Sequence, residues 1–216
     1  MAYPCEAAFR QHGSMPPGND KAAARRRLRG ARAARSDAQR AAAGRALAAR
    51  VIELVDIEGA GPRADITAYL ALPTEPSLDE AIEALRARGH RVWVPRILPT
   101  SLEWVALEDG QRTRLGPLGI RQPDGPAVST ESLAAVRLVL LPGLAADRDG
   151  HRLGQGGGYY DRFLATLAPA AVGGPLRAVV LFDDEVISSV PTEVHDQRVD
   201  VIVTPGRIVR TTSATS

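Results

Sequence analysis

The stretch RLGQGGGYYDRFL, Arg152 to Leu164, places four glycines, two tyrosines, two arginines and an aspartate within thirteen residues. Glycine lacks a Cβ, so Gly154, Gly156, Gly157 and Gly158 can take positive φ and bring backbone N–H groups close to an anion such as phosphate. The apolar, branched run VRLVLLPGL, Val136 to Leu144, stands just before the stretch, and YYDRFLATLA reads as a helix at its end. Strand, glycine loop and helix is an order in which a phosphate sits at a helix N-terminus. Glycine-rich turns also join strands to helices for steric reasons alone. The spacing is neither G-x-G-x-x-G nor a P-loop, whose Lys-Ser/Thr pair is missing. A phosphate here would need its lysine from elsewhere.

The chain contains one lysine, Lys21. Lys21 and Arg25 are four apart in a helical segment, which puts both cations on one face near the helix's positive end, where an anion would relieve them. Glu75, in a loop after a strand, and Asp196, in the HD pair with His195, supply carboxylates, as does Asp161 inside the glycine stretch. Either aspartate could equally be a solvated or capping residue, and Glu75 could simply face a helix dipole. Taken together, the amides of Gly154 to Gly158, the cations Lys21, Arg25 and Arg152, and the carboxylates Asp161 and Asp196 suit phosphoryl transfer from a nucleotide with Mg²⁺.

These residues must be positioned by an α/β framework. Asn19 or Asp20 can cap a helix over DKAAARRRLRGARAAR, and Ser36 caps one from Asp37 to about Val55. DITAYLALP, Asp65 to Pro73, is a strand candidate, followed by a helix from about Leu78 to Arg88 that Gly89 ends. HRVWVPRIL and SLEWVALED read as strands, and Gln111 to Ala127 as an irregular connection or lid. A short helix from Thr130 to Ala135 leads into the Val136 strand. LRAVVLF, VDVIVTP and RIVR complete the set, the last two paired. Alternating strands and helices imply a layered α/β domain with a mostly parallel central sheet flanked by helices.

At 216 residues the chain suits one domain, expected over 19–209, between a mobile N-terminal tail over 1–18 and a C-terminal tail over 210–216. Hydrophobic residues at 44% and a net charge of +2 argue against wholesale disorder and give no pointer to nucleic acid. The arginines of the first fifty positions, interleaved with alanines, read as a solvated helix face. One cysteine, Cys5, leaves no disulfide to form. No apolar run reaches membrane-spanning length and no signal-peptide order opens the chain, so a cytoplasmic protein without membrane partners is expected.

The string LPGLAADRDGHRLGQGGGYYDRFL resembles the signature of the 5-formyltetrahydrofolate cyclo-ligase family, also called 5,10-methenyltetrahydrofolate synthetase. The K-x-x-x-R at Lys21 and Arg25, Glu75, the VPR at Val94 to Arg96, GPLGIRQP and VPTEVHDQRVDVIVTP follow the family's order over about residues 20–205. The resemblance implies a Rossmann-like (NagB/RpiA/CoA transferase-like) fold and an ATP-dependent ring closure. ATP phosphorylates the formyl oxygen on N5 of the folate, N10 attacks, and phosphate leaves to give 5,10-methenyltetrahydrofolate and ADP. By position, Lys21, Arg25, Arg152 and the loop Gly154, Gln155, Gly156, Gly157, Gly158, Tyr159 and Tyr160 would hold ATP. Leu70, Glu75 and Gln155 to Tyr159 would hold the folate, whether or not it is polyglutamylated, and Asp161 and Asp196 would hold Mg²⁺. Lys21, Arg152 and Tyr159 are the implied catalytic residues, although either tyrosine could be an ordinary core residue. The chain would act as a monomer or weak homodimer. Two residues depart from the family: Gln155 stands where many relatives carry a basic or aromatic residue, and Leu118 where they often carry an aromatic. A folate- or nucleotide-binding protein of the same fold without turnover is the alternative.

Overall fold

The computed structural model describes residues 20–133 and 135–212; the expected tail over 1–18, with Cys5, lies outside the described residues. Helix α1, Lys21–Ala33, opens on Asp20, whose Oδ1 accepts the N–H groups of Ala22 and Ala23 at 2.9 and 3.0 Å. Helix α2, Asp37–Ile57, opens on a capping box in which Ser36 and Gln39 satisfy each other's backbone N–H groups. Of the two cap candidates for α1, Asp20 is the N-cap, and Ser36 caps α2 as expected.

Strand β1, Asp65–Thr67, leads to α3, Asp79–Ala87, which ends at Gly89 with φ +85°. The hairpin β2, Arg91–Ile97, and β3, Leu102–Ala106, follows. Next come β4, Thr113–Leu115, and β5, Arg121–Pro123, joined through a single 3₁₀ turn over Pro117–Gly119. Strand β6, Val136–Pro142, is followed by the ribbon β7, Ala145–Ala146, with β8, Arg152–Leu153. Helix α4, Tyr159–Ala165, and the strands β9, Leu176–Val180, β10, Val201–Val203, and β11, Ile208–Arg210, complete the chain.

Among the described residues seven strands form one sheet in the order β11-β10-β9-β6-β1-β2-β3. The five central strands are parallel, and β3 and β11 close the edges antiparallel. Period-two alternation sorts the central strands between two cores. Leu138, Leu140, Ala178 and Val180 face α2 and α3, while Val139, Leu141, Val179 and Ile202 face α4 residues Phe163 and Leu164. Helix α1 covers neither face. Its Ala24 and Leu28 pack with Leu144, Leu153, Ile187 and Val190, over the loops that leave the carboxyl ends of the strands.

Several expectations are corrected. Strand β1 stops at Thr67 instead of reaching Pro73: after the Ala68 N–H donates to Trp93 O, the chain leaves the ladder and Tyr69 and Leu70 turn into the protein. The span from Gln111 to Ala127 contains the β4–β5 hairpin, not only irregular chain. The Val136 strand and the glycine loop are not adjacent, because the β7–β8 ribbon intervenes. The short helix before β6 is a 3₁₀ turn over Thr130–Leu133. At the C-terminus the ordered chain runs past residue 209, since Arg210 pairs in β11 and the buried Thr211 hydroxyl donates to Val199 O at 2.7 Å.

Candidate active site

Strand order reverses between β1 and β6, and ligands of open α/β sheets bind outside the carboxyl ends of strands at such a switch point. A cavity of about 750 Å³ lies there. Its walls come from the chain after β1 (Tyr69, Leu70 and Glu75), the end of β6 (Pro142), α1, the glycine loop, and the segment Glu193 to Asp196. Every residue assigned to ligand by sequence lines it: Lys21, Arg25, Leu70, Glu75, Arg152, Gly154 to Tyr160, Asp161 and Asp196. The position of Leu118 lies in the 3₁₀ turn before β5.

Helix α1 delivers its cations by helical spacing. Ala24, Leu28 and Arg32 form the buried stripe, and Lys21, Arg25 and Arg29 form the adjacent stripe that reaches the cavity. Lys21 Nζ sits 2.7 Å from Asp196 Oδ2 and 3.3 Å from Glu193 Oε1. Arg25 Nε donates to Gly154 O at 2.9 Å, tying helix to loop. The Lys21 side chain is only 11% exposed. The reading of the early arginines as a solvated face is corrected at Arg32, which is fully buried, donating to both oxygens of Glu185 at 2.7 Å and to Gly143 O at 2.5 Å.

The loop is built as glycine requires. Gly156 and Gly158 have φ of +108° and +66°, and a Cβ on Gly157 would lie 2.9 Å from the Tyr159 ring. Arg152 reaches back from the start of the loop, its NH2 donating to Asp161 Oδ1 at 2.8 Å and its NH1 to Pro142 O at 3.3 Å. Tyr159 OH donates to Pro99 O at 3.3 Å, and its ring carries Arg162 over one face. The Tyr160 hydroxyl is buried and has no hydrogen-bond partner among the described residues. Burial, then the negative charge of Glu75, holds its pKa well above the ordinary 10.0 against the opposing pull of Arg152, so it remains a neutral donor.

Burial of Asp196 favours its neutral form, but the hydrogen bonds from Lys21 and the Glu193 N–H, with the Lys21 charge, outweigh it and hold the pKa below 3.8. Ligand atoms of Glu193, His195 and Asp196 lie within 4.8 Å of one another, and Asp161 is close by through the Gln197 N–H, which donates to its Oδ1 at 3.3 Å. Among the described residues no hydrogen bond is made to Asp196 Oδ1 or Asp161 Oδ2. Those carboxylate oxygens are the hard donors that Mg²⁺ prefers, and Lys21 Nζ already holds positive charge between Glu193 and Asp196. The group Glu193, His195 and Asp196 thus offers donors that suit a divalent cation, and Asp161 stands outside that group.

Glu75 is buried, with Oε2 accepting the Leu72 N–H and Oε1 accepting Gln155 Nε2, each at 3.0 Å. The family's VPR segment contributes differently from its residue types: Pro95 lines the cavity, whereas Arg96 pairs across the β2–β3 ladder with Glu103. Sequence reasoning did not mark Tyr69, Arg29 or Glu193. Arg29 continues the Lys21, Arg25 spacing by one more turn, and Glu193 lies three residues before Asp196, so spacing alone could have raised both.

An α/β sheet whose switch-point cavity gathers cations, glycine amides and carboxylates defines a ligand-binding enzyme of the phosphate-handling kind. A model of the 5-formyltetrahydrofolate cyclo-ligase family matches residues 17–205, and the chain belongs to that family. A 5-formyltetrahydrofolate cyclo-ligase of Mycolicibacterium smegmatis is 34% identical over 148 residues, 66% of this chain and 74% of the relative. That of Mus musculus is 29% identical, over 64% and 71%. In fold, the chain resembles the NMR structure of the Aquifex aeolicus 5,10-methenyltetrahydrofolate synthetase, with a TM-score of 0.69 at 24% identity, covering 89% of this chain and 93% of that one. For the Mycoplasma pneumoniae synthetase the TM-score is 0.65 at 20% identity, covering 86% and 99%.

Proposed function

We propose that the chain converts 5-formyltetrahydrofolate to 5,10-methenyltetrahydrofolate with consumption of ATP, assisted by Mg²⁺. The observation that carries this reading is the joining of sequence-distant parts in one cavity: Lys21 meets Asp196 across 175 residues, and Gln155 of the glycine loop meets Glu75 across 80. In this reading Lys21, Arg25, Arg152 and the amides of Gly154 to Gly158 receive the ATP phosphates. Asp161 and Asp196 hold Mg²⁺, which neutralises phosphate charge. Glu75 accepts hydrogen bonds from the pterin edge, and Leu70 lies along its apolar side.

The chemistry follows from the formyl group. Its amide-like oxygen leaves poorly, so it takes a phosphoryl group from ATP, releasing ADP. The N10 lone pair then attacks the formyl carbon, the N10 proton is lost, and the carbon–oxygen bond breaks as phosphate departs. Most of the protein's work is orientation and charge neutralisation in a site that excludes water. Arg152 is suited to follow the transferred group, because its guanidinium is held between Asp161 and the end of β6. Tyr159, at the N-terminus of α4, borders the loop where the formyl oxygen and the phosphate meet.

The experiment is an absorbance assay of methenyl formation, coupled to ADP measurement. Conversion should require ATP and be strongly stimulated by Mg²⁺. Uptake of both ligands without ADP release would instead favour a binding protein of the same fold. Among the described residues no helix is long and apolar enough to cross a membrane.

A further inference from the structure

Arg29 has no assigned role, yet it occupies a defined place at the mouth of the cavity. It lies on the same helical stripe as Lys21 and Arg25, two turns beyond Lys21. Its Nε donates to the side-chain oxygen of Gln155 at 2.9 Å and its NH2 to the backbone oxygen of the same residue at 2.8 Å. Gln155 in turn donates from Nε2 to Glu75 Oε1 at 3.0 Å. The three side chains thus form a relay from α1 through the glycine loop to the buried carboxylate after β1.

The direction of the relay is dictated by chemistry. A guanidinium carries donors only, so the face of the Gln155 amide turned to Arg29 must be its oxygen, and the NH₂ is forced toward Glu75. A carboxylate accepts only, which agrees. Without Arg29 the amide could turn over and set its oxygen against a carboxylate oxygen, replacing an attraction by a repulsion. With Arg29 in place, Glu75 is held at both oxygens, by Leu72 N–H on one and Gln155 on the other. Each oxygen retains a second lone pair for ligand. The bond to the Gln155 backbone oxygen also anchors the loop immediately before Gly156, whose φ of +108° makes it the turning point.

We propose that Arg29 is a positioning residue for the folate half of the site: through Gln155 it fixes the orientation of Glu75 and the closure of the glycine loop over it. This rests on the reading that Glu75 receives the pterin. It also accounts for Gln155, since an amide can link a cation to a carboxylate where a basic residue could only pair with one of them.

The test compares Arg29→Met, Gln155→Leu, the double variant, Arg29→Lys and Glu75→Ala, measuring calorimetric binding of 5-formyltetrahydrofolate alone and KM for each substrate. Loss of a hydrogen bond that orients a charged group should weaken folate binding in Arg29→Met roughly tenfold. KM for ATP should rise less than KM for the folate, because the loop amides keep their own contacts to phosphate while the relay to Glu75 is broken. Arg29→Lys should recover part of the loss, because one donor can still reach a Gln155 oxygen. Arg29→Met should cost less in the Gln155→Leu background than in the parent, because only its bond to the residue 155 backbone oxygen is left to lose. A rise in KM for ATP larger than that for the folate would place Arg29 on a phosphate and overturn the proposal, as would fully additive losses in the double variant. If Glu75→Ala impairs folate binding and Arg29→Met does not, the relay alone fails. If Glu75→Ala has no effect, the pterin assignment fails first.

Discussion

At the scale of the residue, Lys21 carries the greatest burden, because it is the sole lysine and its ammonium is wedged between two carboxylates. Lys21→Met should lower kcat/KM for ATP by about two orders of magnitude or more, as loss of a charge that stabilises a phosphoryl group does. It should also change the acid limb of stability. Asp196 has a folded pKa below its ordinary value, so it contributes stability that is present above that value and is lost as pH falls through the lower, folded one. Removing Lys21 brings the two values together. Thermal melts between about pH 5 and pH 2 should therefore fall less steeply for the variant than for the parent. An identical slope would remove Lys21 as the cause of the shift. Tyr160 gives a second residue-level prediction: its hydroxyl has no partner among the described residues, so Tyr160→Phe should leave stability within about 1 kcal/mol while weakening a ligand that accepts from it. Chemical denaturation beside ligand titration would check both halves. Much of this chemistry was legible in the chain, since Lys21, Glu75, Asp161 and Asp196 were singled out by type and spacing. Arg29 and Arg32 were not. In an Ala-Arg helix every arginine looks alike, and only packing shows which face is turned inward.

At the scale of the element, α1 decides whether the site exists. It lies over loops at the carboxyl ends of the strands, held by Ala24 and Leu28 and by the buried Arg32–Glu185 pair. Glu185 also accepts the Phe182 N–H, so the pair joins α1 to the segment after β9 as well as to Gly143 after β6. Arg32→Met should strip the buried Glu185 of its two short guanidinium bonds, leaving Arg35 NH1, at 3.9 Å, as its remaining cation, and cost about 3–5 kcal/mol of stability, with activity falling alongside. Arg32→Met with Glu185→Leu should recover most of that stability, because two apolar groups of similar size restore packing without a lone charge. Urea unfolding of the two variants separates the cases. Helix starts were readable from Asp20 and Ser36 because a cap is a local interaction. Strand lengths were less so: the apolar run after Asp65 continues to Pro73, but Tyr69 and Leu70 are buried as cavity wall rather than as sheet, and hydrophobicity does not distinguish the two. Likewise the β7–β8 ribbon hides between an apolar strand and a glycine loop, where only two pairs of residues reveal it.

At the scale of the molecule, the reversal of strand order between β1 and β6 explains how residues from both ends of the chain meet. Alternating elements made the parallel sheet readable, whereas the placing of α1 across the strand ends depends on long-range packing that no local pattern encodes. Because the cavity is assembled from α1, the loops after β1 and β6, and the Glu193–Asp196 segment, ligands should bind only the folded chain. Saturating nucleotide with Mg²⁺ at about 100 times Kd should therefore add roughly 2.7 kcal/mol of stability, readable as a rise in Tm. The decisive measurement follows methenyl absorbance and ADP together when 5-formyltetrahydrofolate is supplied with ATP and Mg²⁺. One ADP should form for each methenyl product, and no conversion should occur when ATP is withheld. Folded protein that binds both ligands but releases no ADP, or that forms product without ATP, would contradict the proposed reaction.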